Sequence, residues 1–160
     1  IDFHAVDARH NNPQMIWDKL ISQHAQIFMV LSGHQHGQGL LVEENNYGGK
    51  VYQIMADYQD RGQSGIDAGQ PLHPHTGKPV GIGDGWMRLM TFDFSGRSPS
   101  IEVSTYSSHY LVDANHLENY VDWYRNHEQP NMTDHEFLKA DSYTLELDDF
   151  YSRFGRSSGL

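Results

Sequence analysis

The sequence predicts an α/β fold, and three observations carry that expectation. An amphipathic helix signal begins at Asn12-Pro13, and a short apolar run, Ile27 to Leu31, follows it that is too short and too bulky or β-branched for a second helix. That run halts at Gly33 and hands over His34-Gln35-His36, a placement typical of ligand-gathering loops at strand ends in α/β folds. Further strand-like runs come next, separated by turns rich in Gly, Asn, Ser and Pro.

Taken in order, Asn12 supplies a helix cap and Pro13 suits the first turn, after which Ile16, Trp17, Leu20 and Ile21 share one helical face to about His24. Ile27 to Leu31 is the first strand and Leu40 to Glu43 the second, on the far side of the histidine loop. Asn45-Asn46-Tyr47-Gly48-Gly49 turns the chain into a strand from Val51 to Tyr58. Trp86 to Phe94 is another strand, on which Trp86, Leu89, Thr91 and Asp93 alternate imperfectly with Met87 and Met90, and Ser95 to Pro99 turns it into Ile101 to Tyr106. These strands read as a hairpin meander. Leu117, Tyr120, Val121 and Tyr124 lie at helical spacing within Leu111 to Glu128 and predict a short helix there. Tyr143, Leu145 and Leu147 alternate with polar residues, which predicts a half-buried last strand over Ser142 to Phe150 and a flexible tail from Gly155 to Leu160. Between the strands, Gln59 to Gly85 is rich in Gly, Pro, Asp and Gln and longer than the ~12–15 residues of most structureless loops, so it reads as an insertion.

At 160 residues the chain is one domain by size. Its net charge of −10 speaks against a nucleic-acid backbone or an anionic membrane as main partner. The acid excess is uneven: residues 1–80 carry 8 acids and 5 bases, and residues 81–160 carry 13 and 6. No apolar run approaches the ~20 residues of a membrane-spanning helix. The absence of cysteine removes disulfides, thiolate metal sites and cysteine nucleophiles together. Asn131-Met132-Thr133 fits the glycosylation acceptor pattern, which matters only in a secreted eukaryotic protein. Ile1-Asp2-Phe3-His4 is neither an initiator methionine nor a signal peptide, so the chain reads as part of something longer.

His34 and His36 are the candidate metal ligands. In a locally extended backbone, residues two apart project to the same side, so both imidazoles face one site. That suits either one metal held from two sides or two metals about 3.5–4 Å apart, each taking one histidine. An accidental pair is the alternative in a chain with 11 histidines. His73-Pro74-His75 repeats the spacing, but no strand holds it, and it reads as part of the solvated insertion. His4 and His10 are the histidines upstream of the helix, and neither follows an apolar strand. Gly33 reads as a position where a side chain would compete with the tight approach of backbone to metal or phosphate. Arg88 could face a substrate phosphate, though the ordinary reading is a solvent-facing arginine paired with Asp93 or Glu102. Tyr58 and Trp86 could stack on a leaving group, but as strand aromatics they read as packing residues.

Five blocks together carry a resemblance. They are Trp17-Asp18-Lys19-Leu20, Phe28 to His36, Tyr52 to Gln59, Gly83 to Asp93 with its Gly-Trp-x-Arg-Leu core, and Ile101 to Ser107. In this order they resemble the C-terminal half of a calcineurin-like metallophosphoesterase, well over residues 12–107 and loosely over 141–154. The resemblance implies part of a two-sheet sandwich, mostly antiparallel after the histidine loop, spanning residues 1–154 with the 59–85 insertion inside it. It implies hydrolysis of phosphoester bonds with two transition metals, Zn, Fe or Mn, His34 ligating one and His36 the other. The family's Asp-x-His, Gly-Asp and Asn-His-Asp/Glu motifs are absent here. The resemblance therefore implies an N-terminal segment that carries most of the active site, without which these 160 residues are inactive. It also implies an extracytoplasmic or secreted location. Cutting such a sheet would leave an unpaired edge and an apolar face.

Two other classes fit less of the chain. A cupin-like mononuclear metal enzyme also uses His-x-His, but it wants a glutamate four or five residues after the second histidine, and Glu43 comes seven after His36. A non-catalytic β-sandwich binding module would account for 9 Tyr and 3 Trp on an acidic chain, and it predicts that His34 and His36 are dispensable for binding.

Overall fold

The structure is a computed structural model that describes residues 12–35, 37–59, 83–109, 111–114 and 131–155. Asn12 caps the first helix as expected, its side-chain oxygen accepting from the Met15 N–H at 2.8 Å. The helix runs as α1 (Pro13–Ile16) and widens into a π-helical turn over Trp17–Ile21, where Ser22 N–H reaches back to the Trp17 carbonyl. Ile21 is the buried member of its apolar face, while Ile16 and Leu20 remain exposed.

Seven strands follow among the described residues: β1 (Met29–Ser32), β2 (Gly37–Glu44), β3 (Lys50–Asp57), β4 (Trp86–Asp93), β5 (Ser100–Ser107), β6 (Val112–Asp113) and β7 (Tyr143–Glu146). They form two mixed or antiparallel sheets in an α/β chain. In the first, the order is β1-β3-β2, with β1 parallel and β2 antiparallel to β3. In the second, β5 pairs antiparallel with β4 along one edge and with β6 and β7 along the other. The expectation of mostly antiparallel pairing after the histidine loop is met. A simple meander is not, because β3 inserts between two strands that precede it.

The sheets share one core. Tyr52 and Ile54 from β3 meet Ile101 and Val103 from β5 together with Leu145 and Leu147 at β7, with Phe28, Met29 and Phe150 packed around them. The alternation of β3 and β5 places these side chains on one face of each strand, which is the period-2 pattern of a half-buried sheet. On β4, where the sequence alternates imperfectly, the inner face is Trp86, Arg88 and Met90, and Leu89 faces outward.

Three further expectations change near the C-terminus. Val112 and Asp113 pair with Ser107 and Tyr106, so the region expected to begin a helix at Leu111 begins as strand; residues 115–130 lie outside the described residues. A helix not anticipated, α2 (Asp134–Asp141), is opened by a capping box in which Thr133 and Glu136 each accept from the other's backbone N–H. The last strand stops at Glu146, and Asp148-Asp149 turns the chain into α3 (Phe150–Phe154).

Arg153 fastens α3 to the first sheet. Its guanidinium donates to the carbonyls of Lys50, Ala25 and Ile27 at 2.6–3.0 Å and pairs with Asp149 at 3.1 Å, while Asp149 accepts from the Lys50 N–H. Gly49 lies directly beneath: a Cβ there would sit 2.5–2.9 Å from the guanidinium atoms. Gly49→Ala should therefore cost about 1–3 kcal/mol in chemical unfolding. In an Arg153→Ala background that extra cost should vanish, a coupling that a double-mutant cycle measures.

Burial pushes the phenols of Tyr52 and Tyr143 above their ordinary value of 10.0, and the Tyr52 hydroxyl donates to the Glu146 carbonyl at 2.7 Å. The folded protein holds these protons more tightly than the unfolded chain, so their contribution is whole below pH 10.0 and is lost as pH rises through the folded values. Unfolding followed from neutral to strongly alkaline pH should show that loss, and Tyr52→Phe should lessen it.

Candidate functional site

With β3 lying between β1 and β2, the segment that joins those two strands has to pass over the C-terminal end of β3, where Asp57 stands opposite Gly37. This segment is the histidine loop. His34 takes φ 73°, the left-handed region that costs a residue with a Cβ roughly 1–2 kcal/mol. Its N–H donates to Asp57 Oδ2 at 3.0 Å, a charge-assisted hydrogen bond that offsets the cost. The other carboxylate oxygen of Asp57 accepts from the Gln59 N–H at 3.1 Å, so one side chain fixes both the loop and the exit from β3.

The imidazole of His34 is exposed and makes no hydrogen bond among the described residues, so it is available to a ligand while its backbone is held. His36 lies outside the described residues, as do His4, His10, His73 and His75 and the body of the 59–85 insertion. Among the described residues no group of three or more His, Asp or Glu is arranged to hold a metal ion. A Cβ on Gly33 would meet the Ala56 carbonyl oxygen at 3.5 Å, ordinary contact, and among the described residues of the loop the left-handed positions are His34 and Gly37.

The same end of the molecule gathers other turns. Gly83 abuts the Tyr58 carbonyl and Gln59, and Asp84, at φ 40° and buried, has its carbonyl bonded by the Ser107 hydroxyl at 2.6 Å. Gly85 packs against Ser108 and His109. Tyr58 and Trp86 are buried, as packing residues are, and the Tyr58 hydroxyl is 3.0 Å from Thr105 Oγ1.

Arg88 is the clearest departure from the sequence reading. It does not reach Asp93 or Glu102 across a solvent face, since it points into the core with 7% of its side chain exposed. There it donates to the carbonyls of Met55 in β3 and Ala140 in α2 at 3.2 and 3.1 Å, and it pairs with the fully buried Asp141 at 3.6 Å. The rings of Tyr58 and Tyr143 flank it at 5.6 and 5.7 Å. A guanidinium so engaged joins both sheets to α2 and is not offered to a substrate. Reading β4 by alternation would have placed Arg88 beside Trp86 and Met90, and the Thr-x-x-Glu box at 133–136 would have announced the helix that brings Asp141.

Fold and site together define an α/β protein with a histidine loop carried across the end of a central strand. No protein-family model matches the chain, and no solved structure matches it. It is similar to the uncharacterized protein YvnB of Bacillus subtilis (strain 168), with 30% identity over 126 residues. The match covers 75% of this chain and spans 8% of the length of that relative.

Arg88→Met, which takes the guanidinium away from the buried Asp141 and from the Met55 and Ala140 carbonyls, should cost about 3–5 kcal/mol in denaturant unfolding. Arg88→Met combined with Asp141→Asn should recover part of that loss, since the buried carboxylate charge is removed together with its cation.

Proposed function

We propose that this chain is the C-terminal portion of a calcineurin-like metallophosphoesterase domain and takes part in metal-dependent hydrolysis of phosphoester bonds. The observation that carries the reading is the Gly-His-x-His motif at 33–36, which closes the second of five motif blocks in the family's order, with the His34 backbone held at the end of β3 by Asp57. Two sheets sharing one core suit the family's sandwich. The remaining ligands, the bridging aspartate and the proton donor are proposed to come from a further segment of a longer polypeptide, since the motifs that supply them are not among these 160 residues.

His34 and His36 would hold the metals, Zn, Fe or Mn, which imidazole ligands suit. The exposed, unengaged ring of His34 on a fixed backbone fits that role. When bound, a metal pair supplies charge neutralisation at the phosphoryl oxygens and an activated water. The chain's own part is to hold the backbone of His34 in place, a task that falls to Asp57 and the β1–β3 and β2–β3 pairings. An extracytoplasmic location belongs to the same proposal. The substrate is a phosphoester, and the walls that select it are assigned to the absent segment and to the 59–85 insertion. No helix among the described residues is long and apolar enough to cross a membrane.

Elemental analysis of the complete protein, isolated without chelator, should find about two transition metals per molecule. His34→Ala and His36→Ala should each lower the metal content and abolish phosphoester hydrolysis. Apparent metal affinity should fall as the pH is lowered, because only neutral imidazole ligates. Full metal retention in the doubly substituted protein would remove the reading and bring the binding-module alternative forward.

A further inference from the structure

Asp57 lies within the Tyr52 to Gln59 block, and the resemblance gives its carboxylate no role. It is half-buried at the last position of β3, opposite Gly37, and its two oxygens serve two different stretches of chain. Oδ2 accepts from the His34 N–H at 3.0 Å and Oδ1 from the Gln59 N–H at 3.1 Å. His34 is held by this bond in a backbone conformation that residues with a Cβ rarely adopt. Release of the bond would free His34 to return to an extended conformation, and its ring would leave the position it now has. The same carboxylate sits where the chain leaves β3, and Gly83, where the chain returns, packs against the Tyr58 carbonyl beside it.

We infer that Asp57 is a positioning residue that sets the affinity of the histidine loop for a transition metal, acting through the backbone of His34 and touching neither metal nor substrate. This rests on the reading of His34 as a ligand. Residues that orient a ligand from behind typically contribute 10–100-fold to metal affinity. Here the device is a backbone hydrogen bond in place of the usual contact to the imidazole ring.

The test uses the complete protein, further segment included, with Mn²⁺ alone as probe, reading the paramagnetic broadening of the His34 ring signals, assigned with His34→Gln, and the shift of the His34 amide proton. Asp57→Ala should weaken the Mn²⁺ response about 10–100-fold and move the His34 amide upfield. Asp57→Asn keeps an acceptor oxygen and should restore the response to within about threefold, with an intermediate amide shift. A merely structural role predicts no such rescue pattern in Mn²⁺ affinity among variants with equal unfolding midpoints. If Asp57→Ala does not fold, Asp57→Asn decides: an unchanged His34 amide in that folded variant overturns the inference. So does an Asp57→Ala protein that is folded and binds Mn²⁺ as tightly as the unsubstituted chain. If the unsubstituted complete protein shows no Mn²⁺ response at His34, the metal reading fails first and takes the inference with it, an outcome distinct from the other two.

Discussion

The insertion of β3 between β1 and β2 governs the geometry of everything near the histidines. A connection between two neighbouring strands can take many shapes, but one that must bridge over an intervening strand has a short span to cover and one strand end to cross. The parallel register that sets Ser32 beside Met55, and the antiparallel register that sets Gly37 beside Asp57, fix both ends of that bridge. The backbone strain at His34 follows from this constraint, and Asp57 is placed by the same register to hold it and offset its cost. Strain of this kind persists only where the surroundings over-determine it, which the hydrogen-bonded flanks on both sides accomplish.

A second constraint ties the sheets together. The apolar core from Tyr52, Ile54, Ile101, Val103, Leu145 and Leu147 supplies the nondirectional part of the packing, and it would tolerate some sliding of one sheet over the other. Arg88 supplies direction. Its bonds to Met55 in the first sheet and Ala140 in α2, with Asp141 alongside, fix β4 against β3, the strand that carries Asp57 two residues further on. A planar guanidinium with fixed donor geometry is suited to such a role in a way that a lysine is not.

Much of the fold was legible in the residues, and the reasons for the misses are physical. Alternation and turn chemistry located the strands to within two or three residues at most ends, because burial of one face leaves a period-2 trace in β3 and β5. Pairing order left no such trace. Nothing in residues 27–58 distinguishes a meander from an inserted strand, since both bury the same side chains. Arg88 was misplaced because charge was weighed above position, whereas its two-residue spacing from Trp86 and Met90 put it on the inner face. Of the candidate site, the sequence showed the histidine pair and the glycine that precedes it, but not Asp57. A carboxylate at a strand end is common, and only the three-dimensional register reveals which backbone it serves.

The edge formed by β2 has a further consequence. Leu40, Leu41 and Val42 are exposed in consecutive positions, so apolar side chains emerge on both faces of a strand whose outer edge is unpaired among the described residues. Such a strand is a template for intermolecular pairing, and Glu43 and Glu44 next to it are the kind of charged residues that discourage two like copies from aligning. Among the described residues, the charge that guards this edge is the Glu43–Glu44 pair at its end, and neutralising that pair would remove the repulsion between two such strands brought side by side.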